Sequence, residues 1–119
     1  MNIGEIGLLG EKRCVSYLKW HGYEIVEQNF QSRFGEIDII ARKKELLIFV
    51  EVKTRDEKSI AEPKEFVTYS KQAKIIRTAE IFLMKNHLDC QVRFDVMEVY
   101  VSNKKVDKIN HIINAFSVG

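Results

Sequence analysis

Apolar positions recur along this chain with two periods, and the switches between them mark out its elements. From Gly4 to Trp20, Leu8, Glu11, Cys14, Val15 and Leu18 fall at helical spacing, and Gly22 supplies the stop. The next segment, YEIVEQNF from Tyr23, reads as a short strand. GEIDIIA from Gly35 and LLIFVEVKT from Leu46 read as two more. The charged turn Arg42-Lys43-Lys44-Glu45 between these two makes them an antiparallel hairpin. A long helix is predicted from Phe66 to Asn86, with Ile75, Ile76, Ala79, Phe82 and Leu83 on its inner side. VRFDVMEVYV from Val92 is a fourth strand. Ile109, Ile112, Ile113 and Phe116 repeat at i, i+3, i+4 and i+7, which predicts a short terminal helix. The expected order is α-β-β-β-α-β-α, an α/β fold in which helices flank a mixed central sheet. The sole proline, Pro63, sits in TRDEKSIAEPKE, the one long loop expected. With no repeat or linker in sight, residues 1–119 are read as a single domain.

The hairpin is where the pattern turns unusual. In LIFVEVKT the apolar run ends at Val50, and Glu51 and Lys53 then stand on the face that also carries Leu47 and Phe49. By the same alternation Glu36, Asp38 and Ile40 share one face of the preceding strand, and Ile37, Ile39 and Ala41 the other. A turn that pairs Arg42 with Leu47 sets Asp38 opposite Glu51. A tighter turn, with Arg42 opposite Glu45, makes the two carboxylates diagonal neighbours. Either register holds them together, and a divalent cation, Mg²⁺ or Mn²⁺, is the usual means of relieving such a pair. Glu11 lies on the apolar stripe of the first helix, where an acid seldom stays without a partner. Gly7 and Gly10 beside it would allow close approach to the sheet. Gln72, with Lys71 adjacent, heads the inner stripe of the second long helix.

Each feature also has a plainer reading. Glu-x-Lys is commonly an exposed cross-strand ion pair, Glu36 with Asp38 suits a solvated strand face, and Glu11 or Gln72 suits a helix rim. His21, His87 and His111 stand near segment ends without metal-ligand spacing and are read as surface histidines. The function is therefore carried by convergence on one sheet face.

Composition narrows the class without choosing the chemistry. A hydrophobic share of 45% and a charged share of 30% describe an ordinary globular chain. A net charge of +2 is too small to argue for nucleic acid, so any basic patch must arise from distribution. Two cysteines, Cys14 and Cys90, fit a reducing compartment. No signal-peptide pattern and no apolar run near the length of a membrane span occur, so a cytoplasmic protein is expected.

An Asp on one strand of a hairpin and Glu-x-Lys on the next resemble the PD-(D/E)xK nuclease superfamily. That group includes restriction endonucleases and archaeal Holliday junction resolvases. The whole chain resembles the YraN-like family of small bacterial predicted endonucleases. The matching pieces are Gly10-Glu11, GYEIVEQNF, GEIDIIA, FVEVKTR, Pro63 followed by Lys71-Gln72, RFDVMEV and INHIINAF. Phe34 before GEID and Ala61-Glu62 before the proline depart from the family pattern. The resemblance implies a restriction-endonuclease-like fold and metal-dependent hydrolysis of DNA, selective for branched structure rather than sequence. It implies Asp38, Glu51 and Lys53 as catalytic residues. Asp38, Glu51, Glu11 and the Val52 carbonyl would hold Mg²⁺ or Mn²⁺, and Arg55, Lys71 and Gln72 would hold the phosphate backbone. By analogy with resolvases a homodimer is expected. The alternatives are a nucleic-acid-binding module without chemistry and an interaction subunit of a recombination or DNA-uptake machine.

Overall fold

The computed structural model describes residues 2–56 and 67–118. Its elements run α1 (Ile3–Trp20), β1 (Glu24–Ser32), β2 (Gly35–Lys43), β3 (Leu46–Asp56), α2 (Tyr69–Lys85), β4 (Val92–Ser102) and β5 (Lys105–Phe116). The loop around Pro63 and the expected helix start at Phe66 lie outside the described residues. Asn2 caps α1 by accepting from the Glu5 N–H, and Thr68 caps α2 by accepting from the Lys71 N–H. No helix among the described residues is long and apolar enough to cross a membrane.

The five strands lie in the order β1-β2-β3-β4-β5, all antiparallel to their neighbours except the β3–β4 pair, which is parallel. That parallel pair needs a crossover, and α2 lies within it. The two sheet faces bury separate clusters. On the α1 side Cys14 and Leu18 pack on Ile39, Ala41, Ile48, Val50, Met97 and Val99. On the α2 side Ile75, Ala79 and Phe82 pack on Phe30, Ile37, Ile40, Leu47, Phe49 and Phe94. β3 is buried on both faces, which explains its unbroken apolar run.

Two sequence expectations are corrected here. The final element is a strand, so the order ends α-β-β and not α-β-α. Asn103 and Lys104 both have positive φ between Ser102 and Lys105, the form of a two-residue hairpin turn. Register shifts across from Phe94–Val96 and Tyr100–Val101 put extra residues into β5, while Ile109 to Ile112 pair regularly with Val99 to Val96. Ile109 packs against the α1-side cluster while Ile112 and Ile113 are exposed, so the helical spacing marks no common apolar face.

The second correction concerns β2. Strict alternation would put Ile37 with Ile39 and Ala41, but Ile37 packs on the α2 side with Ile40. Asn29, with φ at 54°, faces this position on β1, and the paired residues pass from Gln28–Ile39 to Phe30–Ile37 around it. Both strands change parity there, and Asp38 stands at the change.

Candidate active site

The β2–β3 register is the wider of the two expected, with Arg42 opposite Leu47. Continued, it would set Asp38 opposite Glu51. The ladder instead ends at Ile39–Val50, and the Asp38 carboxylate enters the opening: Oδ2 accepts the Val52 N–H at 2.8 Å. A side chain thus replaces a backbone partner, and the strands part around a carboxylate.

On the α1 side of this gap, Asp38 lines an open cleft of about 420 Å³ with Ile6, Gly7, Glu11, Val52, Thr54 and Asp56. Helix α1 comes close to the sheet because position 10 lacks a side chain; a Cβ on Gly10 would overlap Thr54. Gly7 has no such role, since a Cβ there would meet open space. The Glu11 Oε1 atom is buried without a hydrogen-bond partner among the described residues. Burial, then the charge of Asp38, raises the Glu11 carboxyl above its ordinary value. The free thiol of Cys14 lies in the same field, and burial first, then Asp38 and Glu11, push it up to about 12.

Glu51 and Lys53 stay on the face of Leu47 and Phe49, as the alternation requires, and so meet α2. Lys71 Nζ lies 3.7 Å from Glu51 Oε1, whose side chain is only 8% exposed. Burial, then Asp38, push the Glu51 carboxyl up to about 7, against the pull of Lys71 and Lys53. Asp38 is also raised, chiefly by burial, while the Val52 N–H, Lys71 and Lys53 act to lower it and Glu36 to raise it. Asp38 therefore belongs to neither face alone. It interacts with Glu11 from one side of the gap and with Glu51, Lys53 and Lys71 from the other.

The remaining expected residues line a second groove on the α2 side, of about 370 Å³, which contains Lys53, Arg55, Val67, Gln72 and Asn110. Gln72 Nε2 donates to the Val67 carbonyl at 2.9 Å. Arg55 Nε lies 3.3 Å from Glu98 Oε2, and Asn110 donates to the other Glu98 oxygen. The expected set thus divides. Glu11, Asp38 and Val52 share the α1-side cleft, Glu51 sits with Lys71 at the gap, and Lys53, Arg55 and Gln72 share the groove. Among the described residues no three His, Cys, Asp or Glu side chains converge as a ligand group. The oxygen-only donors and the orphaned Glu11 Oε1 nonetheless suit a hard divalent cation at the gap.

The raised Glu51 carboxyl has a consequence for stability. Between its ordinary 4.5 and about 7, the folded chain holds a proton that the unfolded chain has lost, so stability falls as pH rises through that window. Glu51→Gln removes this loss and should stabilise the apoprotein at pH 8 by up to about 3 kcal/mol, at about 1.36 kcal/mol per pH unit, less the lost Lys71 contact. Urea denaturation in chelator at pH 5 and pH 8 checks it. A variant markedly less stable at pH 8 would show instead that the pair with Lys71 holds the fold.

One cluster escaped the sequence reading. His111, expected at the surface, has a side chain only 6% exposed, and its Nε2 lies 2.7 Å from Oδ2 of the fully buried Asp95. Arg93 donates to both Asp95 oxygens at 2.8 Å and to the Tyr23 hydroxyl at 2.8 Å, and the Asn114 N–H donates to Oδ1 at 3.0 Å. Burial alone would raise Asp95, but the His111 and Arg93 hydrogen bonds prevail and hold it below the ordinary carboxylate value. The signal was the Arg-x-Asp of β4, visible in RFDV, but its partners required β5 to be a strand.

Comparison with known proteins agrees with the resemblance at family level. Residues 10–99 match the model of the "Uncharacterised protein family UPF0102". A UPF0102 protein of Caldanaerobacter subterraneus subsp. tengcongensis is 43% identical over 119 residues, covering 98% of each chain. One of Clostridioides difficile is 46% identical over 117 residues, covering 98% of this chain and 100% of its own. One of Alkaliphilus oremlandii is 46% identical over 115 residues, covering 94% of this chain and 97% of its own. With three-quarters of its length inside the family model and near-complete overlap with these relatives, the chain belongs to the UPF0102 family.

Proposed function

We propose that this protein is a metal-dependent endonuclease of the PD-(D/E)xK type that hydrolyses phosphodiester bonds in DNA. The observation that carries the reading is the Asp38 carboxylate, lodged between the parted strands on the Val52 N–H with Glu51 and Lys53 beside it. Asp38 and Glu51, with Glu11 and the Val52 carbonyl, would hold Mg²⁺ or Mn²⁺. Such an ion supplies an activated water and neutralises charge on the scissile phosphate. Binding it requires both carboxylates to lose their protons, so their raised values make occupancy favour higher pH. Lys53, whose charge acts on both carboxylates, would orient the attacking water or stabilise charge on the phosphoryl oxygens. Lys71, Gln72 and Arg55 come from α2 and the end of β3 to hold the backbone. None of these groups forms an element suited to reading base edges, so selection is by DNA shape, with branched DNA the favoured substrate. Cutting two strands of a branch then calls for two sites, which a homodimer provides.

A nucleic-acid-binding module without hydrolysis is the second reading, favoured by the engagement of Glu51 with Lys71 in place of a three-carboxylate group. Linear, flapped and four-way DNA incubated with Mg²⁺ or Mn²⁺ separates the two. Metal-dependent nicking by the parent, abolished in Asp38→Asn, is expected. Cleavage that survives in Asp38→Asn would place the chemistry elsewhere. Absence of cleavage on every substrate would leave the binding module.

A further inference from the structure

One exposed edge of α2, beside the β1–β2 turn, presents cations where a helix is better served by acids. Lys71 and Lys74 lie in its first two turns and Arg77 follows, while no Asp or Glu occurs between Val67 and Ala79. Positive charge near a helix N-terminus opposes the macrodipole and is destabilising. Lys71 is relieved by Glu51, but among the described residues no ion pair involves Lys74 or Arg77. Arg33, at the β1–β2 turn, brings a fourth positive charge to this side of the molecule, again without an ion pair among the described residues.

The turn is fastened to the helix. Ser32 Oγ and Thr78 Oγ1 are 2.9 Å apart, Thr78 Oγ1 donates to the Lys74 carbonyl at 2.8 Å, and the Phe34 N–H donates to Ser32 Oγ at 3.1 Å. Gly35 lies against Lys74, close enough that an added Cβ would be 3.5 Å from the Lys74 Cβ. So fixed, the Phe34 ring carries two guanidinium groups, Arg33 at 4.9 Å and Arg77 at 4.8 Å from its centroid. Two like charges held on one ring by residues far apart in sequence form a prearranged dication. The cation–π attraction offsets part of their repulsion, and phosphate groups beside them would offset the rest.

We infer that Arg33, Phe34 and Arg77, with Lys74, form a binding strip for the phosphate backbone of a DNA duplex arm, continuous with the candidate active site. The inference rests on the nuclease reading for the identity of the polyanion. Helical rise puts Lys71 and Arg77 roughly 9 Å apart along the axis, a span of two to three phosphates of one strand at about 3.4 Å axial spacing. Lys71 at its inner end already touches Glu51, so a backbone following the strip arrives at the gap that holds Asp38. Phe34 holds both guanidiniums at its ring. Contacts of this kind fix position and supply affinity without reading sequence.

The experiment measures affinity for a labelled four-way junction and a plain duplex, in chelator, across a salt series. Arg33→Gln, Arg77→Gln, the double variant and Lys104→Gln are compared with the parent. Each arginine variant should weaken binding about threefold to tenfold on both substrates and flatten the salt slope by about one unit, with Lys104→Gln unchanged. Phe34→Ala should weaken binding although it removes no charge. Thermal melts establish that the variants are folded. Parental affinity and slope in the folded double variant would overturn the strip, and so would a parent that binds no DNA. Metal-dependent cleavage, assayed on the same proteins, distinguishes the two failures. Cleavage lost in Asp38→Asn but indifferent to the double variant leaves the active site standing without the strip. Arginine-dependent binding without any cleavage leaves the strip standing without the nuclease.

Discussion

Asp95→Ala should destabilise the fold by about 3–5 kcal/mol, because it strips a largely buried cation of its partner and leaves a cavity at a fully buried site. Arg93 would keep its place between β4 and Tyr23 with two of its three hydrogen bonds gone. His111 and the Asn114 N–H would lose their acceptor in the same step, and both belong to β5. The loss should therefore appear first at the β4–β5 pairing, as faster hydrogen exchange along Lys105–Phe116 than along the central strands. The pH dependence has a definite sign. Asp95 titrates below its ordinary value when folded, so its contribution is complete above the unfolded carboxylate range and is lost as pH falls through the folded value. Urea denaturation of parent and variant at pH 7 and pH 3 should show a large difference that narrows in acid. A loss under about 1 kcal/mol at pH 7 would mean that the cluster is not what fastens the edge strand.

The sequence was most readable where one period governs one element. α2 and the hairpin of β2 and β3 emerge from their apolar spacing, and the close approach of α1 at Gly10 follows from its missing side chain. Legibility failed where the period was misleading or broken. On β5 the spacing itself misled: Ile109, Ile112, Ile113 and Phe116 stand at helical intervals without forming one apolar face, and once β5 was taken for a helix His111 could not be brought to Asp95. Backbone irregularity itself misplaced Asp38. A left-handed Asn29 across from it flips the parity of both strands, and alternation then assigned Asp38 wholly to one face. Asp38 and Glu51 still come near one another because that depends on the β2–β3 register, which the turn at Lys44 and Glu45 fixes. The arginine pair on Phe34 had no local signature at all, since Arg33 and Arg77 meet only after the β1–β2 turn docks on α2.

Lys53→Ala should lower single-turnover cleavage by about 10²–10³-fold while shifting DNA affinity only a few-fold. Lys53 shares a strand face with Glu51, and its charge acts on both Glu51 and Asp38, so on the nuclease reading it would meet charge that develops during reaction. Lys71→Ala should differ in two respects. Its exposed ammonium contributes mainly to affinity, so the variant should bind DNA more weakly and flatten the salt slope by about one unit. Lys71 holds the Glu51 carboxyl down more than Lys53 does, so its removal should move the acidic limb of the cleavage profile to higher pH by more than Lys53→Ala does, without reducing the plateau. Single-turnover rates from pH 6 to pH 9 at saturating metal separate a lowered plateau from a displaced limb. If both variants lower the plateau equally, the charge that acts on the transition state is shared across the gap, and the assignment of Lys53 alone is wrong. A displaced limb in Lys53→Ala with an intact plateau would exchange the two roles, making the helix lysine the one that meets the reacting phosphate.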